Sequence, residues 1–207
     1  MGIFKGSATL TRYDVGGRRA EGWADFIDER VRTFAFREIE NSADEQSIGW
    51  VSAADFMDTG FAYAAYALDP YIVLGLRVDK RKLPAGVLKK YHRLELRKVK
   101  QMRDGQAISR EERETLKEKV RLELLRRIPP STQTYDVVWD TGRNRVWFGG
   151  SSRSALDLFE DFFRRCFNVE LTPRVPYLAA RALLVEPALI ERLEQAAPWD
   201  LSGGEAA

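Results

Sequence analysis

Residues 79–130 read DKRKLPAGVLKKYHRLELRKVKQMRDGQAISREERETLKEKVRLELLRRIPP, and here the chain changes character. Lys82-Leu83-Pro84 opens a helical stretch, because proline suits the first turn of a helix and not its interior. Asp104-Gly105 stops that stretch. Ser109, followed by Glu112, matches a capping box in which hydroxyl and carboxylate each satisfy an orphan N–H. Leu116, Val120 and Leu124 give the second helix a buried stripe, and Pro129-Pro130 ends it. The stretch therefore predicts a charged helical hairpin.

On both sides of it the periodicity becomes that of strands. Ser7 to Val15 alternates in part, with Ala8, Leu10, Tyr13 and Val15 apolar, and is closed by Gly16 and Gly17. Between Glu21 and Glu38, Trp23, Phe26, Ile27, Val31 and Phe34 recur at three- and four-residue steps, which predicts an amphipathic helix. Ser47–Ala53 and Ala62–Val78 are rich in Val, Ile, Tyr and Leu, and Asp69-Pro70 splits the second run because proline cannot donate to a ladder. Downstream, Tyr135–Trp139 and Arg145–Phe148 flank the turn-forming residues Asp140 to Asn144, a hairpin pattern. Ser154 is expected to cap a helix carrying Leu156, Phe159, Phe163 and Phe167. Val169–Leu171 reads as a last strand, 187–196 as a short helix, and Ser202-Gly203-Gly204 as a mobile tail.

This order predicts an α+β fold: mixed or antiparallel sheets, packed helices and a protruding charged helical hairpin. Three units are expected, an N-terminal α+β unit over 1–80, the hairpin over 81–130, and a second α+β unit with a C-terminal helix over 131–200. Regular βαβ alternation is missing, which argues against a doubly wound dinucleotide fold.

With 44% hydrophobic and 31% charged residues in 207, the chain can bury a core. No apolar run approaches a membrane span, and the N-terminus lacks a signal-peptide pattern, so a cytoplasmic location without membrane partners is expected. The single cysteine, Cys166, allows no intrachain disulfide and fits a reducing compartment. The net charge of +2 hides an asymmetry. Residues 79–127 hold seventeen Lys and Arg against eight Asp and Glu, and the rest of the chain is acidic. Such a division is the usual footprint of a polyanion partner.

Turning the helix from Ala85 to Arg103 by 100° per residue separates two faces. Lys89, Lys90, Arg93, Arg97 and Lys100 fall within about 100° of one another with no acid among them. Val87, Leu88, Tyr91, Leu94, Val99 and Met102 occupy another arc, and Glu95 and Lys98 beside it are spaced to pair with each other. The next helix mixes signs, with Glu111, Glu112, Glu114, Glu118 and Glu123 among its cations. An unmixed basic face suits phosphates, and Lys80, Arg81 and Lys82 at its approach extend the candidate set. The stripe also fits a solvated face, or a dock for an acidic partner or for the acidic remainder of the chain. No helix-turn-helix, zinc finger or aromatic RNA-binding signature points to sequence readout.

Catalytic machinery is sparse, so no catalytic, cofactor or metal residue is assigned. The only histidine, His92, lies inside the basic helix, and Cys166 shares the apolar face of a Phe-rich helix. No GxxxxGK[ST], GxGxxG, GxSxG or HExxH occurs. Asp25 with Asp28, and Asp157 with Glu160 and Asp161, sit near helix starts, where the helix dipole accounts for them. A metal-dependent nuclease is the reading these carboxylates leave open.

Several short motifs in order along the chain resemble the RdgC family of recombination-associated proteins. They are Gly49-Trp50-Val51, Lys82-Leu83-Pro84 before a basic helix, the Ser109 cap, Leu124-Leu125 leading into Pro129, the Val137–Asp140 strand, and the helix from Ser154 to Phe167 followed by Val169 to Pro173. The resemblance implies an α+β protein that dimerises and binds double-stranded DNA with little sequence preference. It also implies a nucleoid association and a restraining effect on RecA-type strand exchange, by occupying DNA or by competing with the filament. Better-known members form a ring around DNA and continue past the point where this chain stops. Here an open homodimer or another assembly is expected. The residues Pro129-Pro130-Ser131-Thr132 stand where family members carry an aromatic residue, which implies a different subunit contact.

Overall fold

The computed structural model describes residues 9–17, 22–40, 42–104 and 106–196. Among the described residues seven strands make one antiparallel sheet: β1 Thr11–Gly16, β2 Gln46–Ser52, β3 Ala67–Leu68, β4 Tyr71–Lys80, β5 Ser131–Asp140, β6 Arg145–Phe148 and β7 Glu170–Pro173. Their order is β2-β4-β5-β6-β1-β7, with β3 pairing the start of β4. Period-two alternation places one apolar row on each strand, and the register lines these rows up. Leu74 lies opposite Val137, Ile72 opposite Trp139, Trp139 opposite Val146, and Trp50 opposite Leu76.

Helices α1 (Trp23–Thr33) and α4 (Arg153–Phe167) supply the other half of this core. From α4, Phe159, Phe162, Phe163, Cys166 and Phe167 are all buried. Phe148 stacks on Phe159 at 4.2 Å between ring centroids, and Trp139 meets Phe163 edge-on at 5.1 Å. Burying each such side chain contributes about 2–3 kcal/mol.

The α+β class is as the sequence predicted, but the sheet is wholly antiparallel. The division into units is corrected. β4 and β5 pair over ten positions, from Tyr71 opposite Asp140 to Lys80 opposite Ser131. The strands within 11–80 and within 131–173 therefore share one sheet and one core. The hairpin leaves at the end of β4 and returns at the start of β5, so the strands flanking it are neighbours.

Local boundaries shift for identifiable reasons. The first helix ends at Thr33, not Glu38, because the next residues pair with β2: Ala35 bridges Trp50, Phe36 N–H donates to the Trp50 carbonyl at 2.9 Å, and Trp50 N–H to that of Phe34 at 2.9 Å. Ser152, not Ser154, caps α4, accepting from the Ala155 N–H. Asp69-Pro70 turns the chain between β3 and β4, as expected, through a cis peptide. The short helix α6 spans Pro187–Glu194. Before it, α5 (Pro176–Leu183) has no counterpart in the sequence reading; Pro176 occupies its first turn, where a missing N–H does no harm. Ser7, Ala8, Glu21 and the tail at Ser202–Gly204 lie outside the described residues.

Candidate nucleic-acid interface

The hairpin consists of α2 (Ala85–Met102) and α3 (Arg110–Leu125). Both halves of the capping box at α3 are present: Ser109 Oγ accepts from Glu112 N–H at 3.1 Å, and the Glu112 carboxylate accepts from Ser109 N–H at 2.9 Å. That backbone bond, with Arg103 at 2.8 Å, holds the Glu112 carboxyl below its ordinary pKa. Val120 and Leu124 are buried, and Leu116 half-buried, as the stripe predicted.

Arg81 fastens the hairpin to the sheet. Its guanidinium donates to the carbonyls of Ile128 (2.7 Å), Ser42 (2.8 Å), Glu40 (3.0 Å) and Asp44 (3.2 Å), and the residue is 6% exposed. This corrects its place in the candidate set, since the side chain is buried and four of its five N–H donors are committed to backbone carbonyls. Lys80 and Lys82, on either side, are exposed. Arg121 adds a second tie, pairing with Glu45 at 2.6 Å.

Along α2, Leu88, His92, Glu95, Leu96 and Val99 are half-buried, and His92 Nε2 lies 3.2 Å from the Arg113 carbonyl of α3. This histidine contacts the neighbouring helix and has no catalytic partner in the hydrogen bonds it makes. Two thirds of the apolar arc stays open: Val87, Tyr91, Leu94 and Met102 are exposed. Glu95 and Lys98 pair with each other, as their spacing predicted.

The five stripe cations are all exposed, and among the described residues none has a carboxylate at ion-pair distance. On α3 the opposite holds. Lys117 pairs with Glu114, and Arg121 with Glu118 as well as Glu45. Arg93, Arg97 and Lys100 line a groove of about 290 Å³ together with Leu96 and Arg113. Arg113 was not among the sequence candidates. Its Nε is held by the Ile108 carbonyl at 3.1 Å, which aims the guanidinium beside the α2 cations. It sits on a helix of mixed sign, so only the packing of α2 on α3 reveals the association.

Groups with chemical potential elsewhere have structural occupations. Cys166 is fully buried, and burial pushes its thiol up to about 12 despite nearby Arg30 and Arg165. A thiol so protonated and enclosed should react with iodoacetamide at pH 8 only after denaturation; labelling of the native chain at the rate of the denatured chain would contradict this. Asp28 accepts from Arg32 at 2.8 Å and from Tyr66 Oη at 2.6 Å, which lowers its pKa. Glu160 accepts from the buried Tyr13 hydroxyl at 2.9 Å, Asp157 pairs with Arg153, and Asp161 with Arg165. Among the described residues no three His, Cys, Asp or Glu are grouped to hold a metal ion.

A family model described as "Putative exonuclease, RdgC" matches residues 16–182. The matched span runs from the last residue of β1 nearly to the end of α5, taking in both hairpin helices, the other six strands and the two helices packed on the sheet. A match of that extent covers the core and the basic face together, and the chain belongs to the RdgC family.

Proposed function

We propose that this chain binds double-stranded DNA through the α2 ridge, without reading its sequence and without catalysis, in a recombination-associated role. The observation that carries the reading is the ridge itself: Lys89, Lys90, Arg93, Arg97 and Lys100 stand exposed and, among the described residues, without an ion-pair partner, and Arg113 lines the same groove as Arg93, Arg97 and Lys100. From Lys89 to Lys100 the helix rises about 16 Å, an axial length over which duplex DNA carries about nine phosphates. Five cations are thus amply matched. Contacts to phosphate orient a protein on the duplex and carry no sequence information.

Occupying duplex in this way obstructs a RecA-type filament, which is the modulation of strand exchange proposed here. A homodimer places two ridges on one duplex and raises its effective affinity. The proposed location is the cytoplasmic nucleoid, in keeping with the absence, among the described residues, of any helix long and apolar enough to cross a membrane.

The test is a salt titration of binding to duplexes of unrelated sequence. Neutralising about five phosphates gives a slope of log K against log salt of about −4 to −5, equal for every sequence. A flat dependence, or one sequence bound far more tightly, overturns the reading. The family's printed description makes a nuclease the second reading, with Asp25 and Asp28 beside the large groove at α1 as its carboxylates. Adding Mg²⁺ or Mn²⁺ to the same mixtures separates the two, since a binder leaves the duplex intact.

A further inference from the structure

A second surface carries the opposite charge. Residues 38–76 hold seven Asp and Glu and no Lys or Arg. Part of this stretch, 64–72, meets α1 around a groove of about 870 Å³, floored by Trp23, Ile27, Tyr66 and Ile72. Asp25, Glu29 and Asp69 stand exposed in its lining, and among the described residues none of the three has a cation at ion-pair distance. Asp25 and Glu29 lie one turn apart on α1, where like charges repel and a cation between them relieves the repulsion. Arg32, also in the lining, is committed elsewhere. It pairs with Asp28 at 2.8 Å and donates to the carbonyls of Gly60 at 3.0 Å and Phe61 at 3.3 Å. Those bonds hold a strained wall. Phe61, Tyr63 and Ala64 have φ of 49°, 55° and 50°, a left-handed conformation unfavourable for an L side chain. Such strain persists where surrounding contacts fix it, as at ligand clamps. Here the fixing contacts are the Arg32 bonds, the burial of Phe61 and the Tyr66 hydroxyl donating to Asp28 at 2.6 Å. The groove is therefore shaped before anything enters it.

We propose that this groove receives a basic segment of another protein, one in which a large apolar side chain is flanked by Lys or Arg. The apolar side chain covers the floor at Trp23 and Ile72, and the flanking cations reach Asp25, Glu29 and Asp69. Charge complementarity selects this occupant: an unneutralised acidic rim repels nucleic acid and acidic proteins alike. The floor, continued outward by the exposed Leu68 and Tyr71, favours a segment with apolar side chains over a bare cation. A wall already fixed lowers the ordering cost of binding. The groove is also remote from the ridge. It takes in Tyr71, where β4 begins, whereas the hairpin leaves after Lys80, about 30 Å further along the strand. That separation is several Debye lengths at physiological salt, so the two sites are electrostatically independent. A basic protein and a duplex can then be held at once, which ties that protein to the DNA the chain occupies.

Fluorescence anisotropy of the full chain with a labelled peptide of repeated Lys-Leu-Arg-Trp units tests this. The parent chain should bind it, and should bind a peptide with Ser in place of Leu and Trp about tenfold more weakly. Glu29→Lys combined with Asp69→Asn should weaken binding about tenfold, and raised salt should weaken it as well. Ala67→Arg, which sets a cation in the groove from an exposed position, should block it. Glu170→Lys, at an exposed acid on β7, is the control and should leave binding unchanged. Because all these positions are exposed, urea midpoints should match the parent's. Bound peptide should also slow amide exchange in α1 and in residues 66–72. Binding that ignores the changes at Glu29, Asp69 and Ala67, or that charge alone sustains, overturns the proposal. So does spermidine bound as tightly as the peptide, which would make the groove a small-cation site, or a second copy of the chain that fills the groove and shuts the peptide out. Duplex affinity is measured separately and should not fall in the groove variants. A chain that binds the peptide but no duplex sinks only the DNA reading, and one that binds duplex but no peptide sinks only this one.

Discussion

Reversing the charge at Lys89, Arg93 and Arg97 to glutamate abolishes duplex binding while the chain melts where the parent does. Each reversal replaces an attraction of up to about 1 kcal/mol at contact in water by a repulsion of similar size. Three such changes amount to several kcal/mol, on the order of 10³ to 10⁴ in affinity. Non-specific binders start at about 10⁻⁴ to 10⁻⁶ M, so the variant falls below detection in an anisotropy titration. Stability is unaffected because the three side chains are exposed and none has an ion-pair partner among the described residues, and such surface changes stay within about 0.5 kcal/mol. Lys117→Glu on α3 is the matched control. That lysine is already neutralised by Glu114 at 3.2 Å, and its reversal should change binding severalfold at most. Equal losses from both would mean that net charge, not the ridge, governs binding.

Gly49→Ala should unfold the chain or bring it close to unfolding. A Cβ at position 49 would lie 2.3 Å from Phe36 Cα, 2.4 Å from Phe36 N and 2.8 Å from the Ala35 carbonyl carbon. All three are backbone atoms, so no rotamer change relieves the overlap. Residues 34–36 would have to leave β2, giving up their two backbone hydrogen bonds with Trp50 and the burial of Phe36. Overpacking of 1–3 kcal/mol, two hydrogen bonds at about 1 kcal/mol each and the exposed Phe36 together exceed about 4 kcal/mol. That is a large share of the roughly 5–15 kcal/mol that holds a domain folded. Gly75→Ala on β4 provides the comparison. Its closest neighbour at 2.8 Å is Val51 Cγ2, a side-chain atom that can rotate, so its loss should be distinctly smaller. Urea midpoints of the two variants decide the matter, and a Gly49→Ala chain as stable as Gly75→Ala would contradict the packing argument.

Much of the fold was legible because it is written in short-range signals. The alternation in Tyr135–Trp139 and Arg145–Phe148, the Asp-Pro turn, the Ser109–Glu112 box and the Phe repeat of α4 each act within a few residues. The basic ridge was legible for the same reason, since helical geometry alone brings Lys89, Arg93, Arg97 and Lys100 to one side. Signals failed where a distant segment competes for the same backbone. Phe34 to Phe36 continue a helical apolar pattern, yet they pair with Trp50, because a buried strand edge needs its N–H and C=O groups satisfied.

The sequence by itself determined the α+β class, the charged hairpin and the position of its unmixed cationic face, because helix and strand periods and capping chemistry are local properties. Tertiary structure alone decided that the flanking segments join in one sheet, that Arg81 is a buried clamp while its neighbours Lys80 and Lys82 face solvent, and that Arg113 joins the α2 cations. It also left Asp25, Glu29 and Asp69 around an open apolar trough. Identical side chains differ in role according to which backbone groups pack within hydrogen-bond reach, and that depends on pairings between residues dozens of positions apart.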